Sequence, residues 1–315
     1  MTIKVTKSAV NIREELADLH KPSGIAGEAM LRADTPQEQF NLIGAGRRNF
    51  IINGGSKAGI ISQRGSFQNY GPVTHAKYYY DRWQMFVTSM TTNISTTDEW
   101  FKAVATSTDG RFGFQQRIED YNVFADQEFT VSARVKSNNP KARIYVSDGS
   151  GVWTTAHSGS GSEELLVVHG KAKTSPNYLY VYIMVSEPNG SETSVSIDDY
   201  IEFTNAQLEL GKVATPFEHR PYGEELALCQ RFYETGYVKF TTQDNDTLRN
   251  QHDWHSFMTQ KRTNSPSVSI TVQSQSNNVY NTVSDSRFNG FSLAWRSSSS
   301  IDHNLEVTYE AEDEL

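Results

Sequence analysis

Three tyrosines that alternate with aliphatic residues are the side chains best suited to binding chemistry. Tyr178, Tyr180 and Tyr182 are separated by Leu179 and Val181. Because successive side chains on a β-strand point to opposite faces, the tyrosines would share one face and the aliphatic residues the other. Aromatic rings with polar tips suit either stacking on a sugar ring or packing against a second layer or a neighbouring subunit.

Trp100 and Trp153 are further aromatic candidates, with the same two interpretations. Residues 252–255 contain two histidines and an aspartate, but residues three apart on a strand face opposite ways, which prevents joint ligation of a metal. The adjacent carboxylates at 163–164 and 198–199 diverge for the same reason, so neither is an acid–base pair. The sequence has no glycine-rich phosphate loop, serine-hydrolase elbow or zinc-hydrolase motif, and we expect binding rather than catalysis.

The composition describes an acidic and polar chain. Its 29 Lys and Arg residues against 37 Asp and Glu give a formal charge of −8, so we expect no nucleic-acid partner. No run approaches the roughly 20 apolar residues of a membrane span, and the first residues lack the apolar core of a signal peptide. We therefore expect no membrane insertion, and assembly in a host cytoplasm. The single cysteine, Cys229, allows no intramolecular disulfide.

Hydrophobic periodicity predicts an all-β fold with two sandwiches. Residues 49–220 contain alternating apolar and polar runs such as 129–136, separated by glycine-rich turns such as 148–151. Many short strands at this spacing predict a central jelly-roll β-sandwich. Period-two patterns return over 236–315, where they predict a smaller C-terminal β-sandwich.

A short helix over 221–235 is predicted to connect the two sandwiches. Its first turn is acidic, which suits the helix dipole. Leu226, Cys229 and Tyr233 would lie on one face, which places Cys229 against protein as a small apolar residue. No histidine or asparagine partner is indicated for this thiol, so a catalytic role for it has no support.

We expect residues 1–48 to form an extension with a short helical character rather than a domain. Asn11 and Glu14 match a capping box, and the Thr-Pro pair at 35–36 gives a second helix start signal. Two short amphipathic helices with no core between them predict an arm that docks on a partner, although a tail packed on its own domain would have the same pattern. The apolar residues available for docking are Ile12, Leu16, Leu19, Phe40 and Leu42.

Several short segments together resemble bacteriophage tail-fibre and virion appendage proteins with a carbohydrate-binding-module-like jelly roll. Three segments are similar to the opening of that module: Arg-Asn-Phe-Ile-Ile-Asn-Gly at 48–54, Ser-Gln-Arg-Gly at 62–65 and Tyr-Asp-Arg-Trp at 80–83. Three more are similar to its exit and the following helix: Ala-Gln-Leu-Glu-Leu-Gly at 206–211, Ala-Thr-Pro-Phe-Glu at 214–218, and 225–233. Residues 309–315 are similar to the last strand of such proteins. The exit with its helix is the most specific part of the resemblance.

The resemblance implies a virion protein that is commonly trimeric and commonly contacts a host surface. In related carbohydrate modules, oxygen ligands near the opening turn and the last strand hold a structural calcium, for which Asn53 and Asp198 or Asp199 are the candidates here. The alternative is a tight turn with two surface carboxylates. The chain departs from the family pattern because the turn continues to Ser56 and Lys57 instead of to an aromatic residue.

Residues and resemblance together predict a tail-fibre or spike-type subunit of a phage virion. The arm would attach a homotrimer to other virion proteins, and a sandwich would contact the host surface through a glycan. We expect its location to be the virion, at the tail rather than the head. Two alternatives use the same features: a head fibre, capsid decoration or tail adaptor protein with a purely structural role, and a free carbohydrate-binding protein outside any virion.

Overall fold

The structure is a computed structural model that describes most of the chain after the predicted arm. The described residues are 48–55, 59–65, 71–73, 75–97, 99–242, 251–275, 280–296 and 303–314. The arm residues Ile12, Leu16, Leu19, Phe40 and Leu42, predicted to dock on the virion, lie outside the described residues.

The described residues form two antiparallel β-sandwiches joined by one α-helix. The first sandwich contains β1 (Tyr78–Tyr80), β2 (Trp83–Thr88), β3 (Thr92–Thr96), β4 (Phe101–Ala105), β5 (Arg111–Arg117), β6 (Glu128–Ser137), β7 (Ala142–Ser147), β8 (Val152–Ala156), β9 (Glu163–Lys171), β10 (Tyr180–Val185) and β11 (Tyr200–Leu210). After the helix α1 (Tyr222–Gln230), the second contains β12 (Tyr233–Thr242), β13 (Gln251–Ser256), β14 (Ser267–Gln275), β15 (Tyr280–Arg287), β16 (Gly290–Arg296) and β17 (His303–Glu312).

The first sandwich packs a six-stranded sheet on a five-stranded sheet. Their strand orders are β1-β2-β5-β10-β7-β8 and β3-β4-β11-β6-β9. The second sandwich packs β12-β17-β14 on β13-β16-β15. The prediction of an all-β fold with a jelly-roll β-sandwich and a smaller C-terminal one is thus confirmed.

Alternation of side chains explains why these segments form half-buried strands. On β6, Phe129, Val131, Ala133 and Val135 are fully buried, whereas Arg134 is exposed. Each large apolar side chain removed from water contributes roughly 1.5–3 kcal/mol, so one buried row per strand is enough to hold two sheets together. A group of aromatic rings fills the centre of the first sandwich: Tyr80, Trp83, Phe101, Phe114 and Phe203.

The connecting helix is shorter than the sequence predicts. It ends at Gln230, and Tyr233 already begins β12, which pairs with β17 along its whole length. Aromatic residues at 232–233 favour a strand, and the tertiary pairing decides the competition. Cys229 is buried against Phe232 in a small apolar cluster between the sandwiches, as predicted for a small apolar residue.

A fully buried ion pair lies where the helix meets the second sandwich. Lys261 Nζ contacts Glu234 at 2.8 Å, and both side chains are wholly buried. The Glu234 carboxylate also accepts hydrogen bonds from the Tyr309 hydroxyl at 2.6 Å and the Met258 N–H at 3.0 Å. Lys261 also donates to the carbonyl of Gln230 at the end of α1. These added partners compensate for the desolvation of both charges and tie the helix to β12.

Residues 48–55, which we call the incoming segment, reach the first sandwich without joining a sheet. The side chain of Asn49 takes over part of the missing pairing, donating to the carbonyl of Ala206 at 3.1 Å and accepting from the N–H of Ile51 at 2.9 Å and of Leu208 at 3.1 Å. The buried guanidinium of Arg220 donates to the carbonyls of Asn49 and Ile51. Buried backbone groups must be paired. Side chains do part of this here, beside backbone hydrogen bonds such as that from the Phe50 N–H to the Leu208 carbonyl at 2.9 Å.

Asn53 completes the incoming segment from a fully buried position. Its side-chain N–H groups donate to the carbonyls of Ile61 and Asp81, each at 2.8 Å, and its side-chain oxygen accepts from the Ile61 N–H at 2.9 Å. Its own carbonyl accepts from the indole of Trp83 at 2.7 Å, and its N–H donates to Glu225 on α1. Its φ of 59° lies in the left-handed region, which asparagine tolerates better than most residues.

We predict that Asn53→Asp strongly destabilises the chain. The substitution keeps the side-chain shape but removes both N–H donors and buries a carboxyl group, so the carbonyls of Ile61 and Asp81 each lose a hydrogen bond. The free energy of unfolding should fall by roughly 3 kcal/mol or more in urea denaturation. The same change at the exposed Asn122 should cost less than about 0.5 kcal/mol. Equal losses in the two variants would contradict this role of Asn53.

Candidate functional site

The outer side of the six-stranded sheet carries an aromatic surface. On β10, Val181 and Ile183 are fully buried in the core, so Tyr180 and Tyr182 point outward, with Tyr178 just before the strand. The three predicted tyrosines therefore share one face, and all three are half-buried. Two more aromatic side chains complete the surface, and we call the set the tyrosine face: Phe86, Tyr145, Tyr178, Tyr180 and Tyr182.

The rings of the tyrosine face form one continuous group. Tyr182 is central, with ring centroids 5.2 Å from Phe86, 5.4 Å from Tyr145 and 5.7 Å from Tyr180. Phe86 and Tyr145 meet Tyr182 edge-on, whereas Tyr180 and Tyr182 are tilted by only 31°. Edge-to-face contacts of this kind fix ring orientations. The surface is thus held by its own packing before any ligand arrives.

Amide and guanidinium groups lie between and beside the rings. Tyr182 is directly opposite Gln115 on β5, and Gln115 is opposite Gln84 on β2. The Gln115 amide donates to the Gln84 side-chain oxygen. The Arg111 guanidinium lies over the Phe86 ring, 4.7 Å from its centroid. The face therefore offers flat apolar area next to fixed hydrogen-bonding groups, which is the combination that a sugar ring requires.

Two glycine turns border the tyrosine face. A Cβ atom at Gly149 would come within 3.0 Å of the Tyr178 ring, and one at Gly190 within 3.0 Å of the Tyr145 ring. Both glycines have positive φ, so these turns favour glycine for the backbone and for the space. Arg111 also donates to the Gly190 carbonyl. The rings are therefore held against backbone on two sides.

Burial keeps the hydroxyls of Tyr145 and Tyr182 protonated. It raises the pKa of Tyr145, and it raises the pKa of Tyr182 further, with added repulsion from Tyr180. A neutral phenol both donates and accepts hydrogen bonds. These hydroxyls can therefore serve a polar ligand across the whole neutral range of pH.

The two predicted tryptophans do not join the tyrosines. Trp153 on β8 is opposite Val146, a buried core residue, and its ring meets Phe129 edge-on at 5.1 Å inside the sandwich. Trp100 precedes β4 of the five-stranded sheet, where Lys136 Nζ lies 3.8 Å from the centroid of its ring. Of the five aromatic residues predicted from the sequence, the three tyrosines share one surface and the two tryptophans lie elsewhere.

The three predicted calcium ligands are not brought together. The side-chain oxygen and amide of Asn53 are engaged with backbone groups, as described above. Asp199 accepts from Asn139 at 2.7 Å and from the Ser196 N–H at 2.8 Å, in a turn just before β11. Asn53 lies near the middle of β11 beside Ala206, so roughly 20 Å of strand separates it from Asp198 and Asp199. They form no common calcium site.

The remaining histidine segment forms no metal site in the described parts of the chain. His255, from the predicted His-Asp-Trp-His segment, lies between the rings of Phe291 and Tyr309 at 5.4 and 5.0 Å. No cluster of three His, Cys, Asp or Glu side chains suited to a metal occurs among the described residues. Within the same residues, the structure has no helix with the length and apolarity needed to cross a membrane.

An arginine network joins the two sandwiches next to the tyrosine face. The Arg64 guanidinium contacts Glu312 at 3.2 Å and Glu314 at 3.1 Å, and Arg82 also pairs with Glu314. The Arg82 guanidinium stacks on the ring of Phe232, 3.7 Å from its centroid. Periodicity does not indicate this network. The only signal for it is that charged residues occupy the short motifs at 62–65 and 80–83.

Asp81 is the buried carboxyl group of this network. The side chain of Gln63 donates to it at 2.8 Å and also donates to the carbonyl of Tyr233 at 2.8 Å. Arg64 Nε lies 3.9 Å from the carboxyl group. Burial raises the pKa of Asp81 to about 7, against the opposing effect of Gln63 and Arg64. The junction therefore contains a group that titrates near neutral pH.

Comparison with known proteins gives matches to solved structures only. The sequence matches no family model and no curated protein. TmCBM61 in complex with beta-1,4-galactotriose is 12% identical, with 52% of this chain and 100% of that chain covered and a TM-score of 0.33. A CBM4 structure is 11% identical, covering 47% and 99%, with a TM-score of 0.31. Discoidin II from Dictyostelium discoideum is 9% identical, covering 85% and 92%, with a TM-score of 0.23. Similarity at this level assigns no ligand to the chain.

We predict that Asp81→Asn changes how stability depends on pH. The folded chain keeps a proton that the unfolded chain releases between its ordinary pKa of 3.8 and about 7. The wild-type free energy of unfolding therefore contains a contribution that is present at low pH and lost as the pH rises to about 7. Asparagine cannot titrate, so the variant should gain stability relative to the wild type across this window, by up to roughly 4 kcal/mol.

Urea denaturation at pH values from 4 to 8 measures this difference. The exposed Asp285→Asn variant is the control, and its difference from the wild type should change little with pH. A constant difference between Asp81→Asn and the wild type would show that the carboxyl group is ionised in the folded state throughout.

Proposed function

We propose that this chain is a non-catalytic glycan-binding protein and that the tyrosine face is its binding surface. The observation that carries the proposal is the tilted pair of Tyr180 and Tyr182, half-exposed beside the amides of Gln84 and Gln115. The aromatic rings offer apolar area to the C–H side of a sugar. The amides, the phenols and Arg111 offer partners to its hydroxyls.

Rigidity supports glycan binding at this face. Each ring is held by another ring or by a glycine turn, so little side-chain freedom remains to be lost when a ligand binds. The hydroxyls of Tyr145 and Tyr182 stay neutral, so their contribution to binding should not depend on pH between about 5.5 and 8.5. The contact area of one such face is small, and each site should bind weakly.

We further propose that the chain is a virion protein, a tail-fibre or spike-type subunit that acts as a homotrimer at the phage tail. The resemblance to tail-fibre and virion appendage proteins supports this proposal. The segments similar to the opening and the exit of their module lie together in the fold, where Asn49 contacts Ala206 and Arg220. Three weak sites on one trimer would act together at a surface that displays many glycan copies, which raises the overall affinity. Residues 1–48 would attach the trimer to other virion proteins.

A purely structural role, as a head fibre, capsid decoration or tail adaptor protein, is the second candidate. The observation that favours it is the sheet position of the tyrosine face, because a broad outer sheet face with aromatic side chains also suits packing against another subunit. In that case the tyrosines would be buried between copies and would bind no sugar.

We predict that Tyr182→Ala removes glycan binding. The substitution deletes the ring that contacts Phe86, Tyr145 and Tyr180, so the stacking surface is lost. The affinity for any glycan bound in an array screen should fall at least about 10-fold, which corresponds to about 1.4 kcal/mol. Trp100→Ala, on the other sheet, should bind as the wild type does.

Isothermal titration calorimetry with the glycan found in the array measures both variants. A Trp100→Ala variant that loses binding while Tyr182→Ala keeps it would place the site on the other sheet. A trimer that dissociates in Tyr182→Ala, with no glycan bound by the wild type, would favour the structural role.

We predict that deletion of residues 1–46 prevents attachment to the virion and leaves glycan binding intact. The truncated chain should bind glycan with unchanged affinity, because the tyrosine face lies entirely within the first sandwich. It should no longer be incorporated into particles, as measured by immunoblotting of purified virions. Normal incorporation of the truncated chain would show that the arm is not the anchor.

A further inference from the structure

A groove lies where the tyrosine face ends at β1 and the second sandwich begins. Its volume is about 470 Å³. We call it the junction groove, and both sandwiches line it, with Arg64, Ala76, Lys77, Tyr78 and Tyr79 from the first and Tyr233, Glu310 and Glu312 from the second.

The junction groove continues the tyrosine face along one row of the sheet. Strand pairing places Tyr145, Tyr182, Gln115, Gln84 and Tyr78 opposite one another on five neighbouring strands. Neighbouring strands are about 4.8 Å apart, so the row spans about 19 Å from its first to its last residue. A linear ligand that crosses the strands at Tyr182 is therefore directed toward Tyr78 and the groove.

The aromatic floor of the groove is fixed by Arg64. Its guanidinium lies 3.8 Å from the centroid of the Tyr233 ring and 5.2 Å from that of Tyr78. Ion pairs with Glu312 and Glu314 hold the guanidinium in place. The two rings, one from each sandwich, thus keep a set position relative to each other.

Carboxylates of β17 form the polar wall of the groove. Glu310 is exposed, and half of the Glu312 side chain is exposed. Carboxylate oxygens accept strong hydrogen bonds from sugar hydroxyls. The groove lining balances these two carboxylates with two cations, Arg64 and Lys77. A neutral sugar therefore suits the groove, because its lining carries no net charge for a ligand to match.

We propose that the junction groove is a second subsite for the same glycan, so that the second sandwich binds the ligand together with the first. This inference rests on the proposed glycan binding at the tyrosine face. The ligand is a linear, neutral oligosaccharide that lies across the tyrosine face, passes Tyr78 and reaches Glu310. Short oligosaccharides occupy the tyrosine face alone, and longer ones gain affinity from the groove.

Calorimetry on the full chain with β-1,4-linked gluco-, galacto-, manno- and xylo-oligosaccharides of two to six units tests the proposal. The wild type should bind the hexasaccharide of its preferred series at least 10-fold more tightly than the disaccharide. Glu310→Lys, a change at an exposed side chain, should keep the disaccharide affinity and lose this gain. Asp285→Lys, exposed on β15, is the matched control and should keep both.

Hydrogen exchange provides a second readout. The hexasaccharide should slow exchange at 233–238 and 306–312, whereas the disaccharide should not. Equal affinities for short and long ligands, or a length gain that survives Glu310→Lys, would overturn the second subsite and leave the proposed function intact. No binding of any oligosaccharide by the wild type would overturn both.

Discussion

The pairing of a buried backbone segment by side chains is the constraint on which the rest of this structure depends. The incoming segment enters the protein between the first sandwich and α1 without forming a regular strand, and buried peptide groups without partners are strongly destabilising. Only part of its backbone pairs with β11, as in the hydrogen bond from the Phe50 N–H to the Leu208 carbonyl. The side chains of Asn49, Gln116 and Arg220 supply further partners. Asn53 fixes the end of the segment, and its N–H donates to Glu225 on α1, which carries the chain into β12. The second sandwich is then held by α1 together with the ion pairs of Arg64 and Arg82 with Glu312 and Glu314.

The binding surface takes its geometry from this arrangement in two steps. Register in the six-stranded sheet sets which side chains point outward, and edge-to-face contacts around Tyr182 then set their orientation. The junction places Tyr233 and Arg64 at the end of the same row. Packing in the core and at the junction thus fixes the side chains of the binding surface before a ligand binds.

The sequence could predict features that depend on one strand, but not features that depend on pairing between distant strands. Alternation at Tyr178, Tyr180 and Tyr182 was sufficient for the shared face, because it depends on one strand only. Their partner Tyr145 comes from another strand, so it could not be found without the register. Trp153 was assigned the same two uses as the tyrosines, but β8 is a short edge strand with no clear alternation, and only its pairing shows that the ring points inward. The roles of Asn49 and Asn53 also depend on partners that are distant in the sequence, so the sequence alone could not reveal them.

The most direct test of the central claim is nuclear magnetic resonance of the full chain with ¹³C-labelled tyrosine rings, titrated with a bound oligosaccharide. The account predicts shifts at Tyr145, Tyr178, Tyr180 and Tyr182, while Tyr200, on the five-stranded sheet beside Lys102, stays unchanged. Shifts confined to tyrosines outside the tyrosine face and the junction groove would contradict it, and the sugar would then bind elsewhere on the protein.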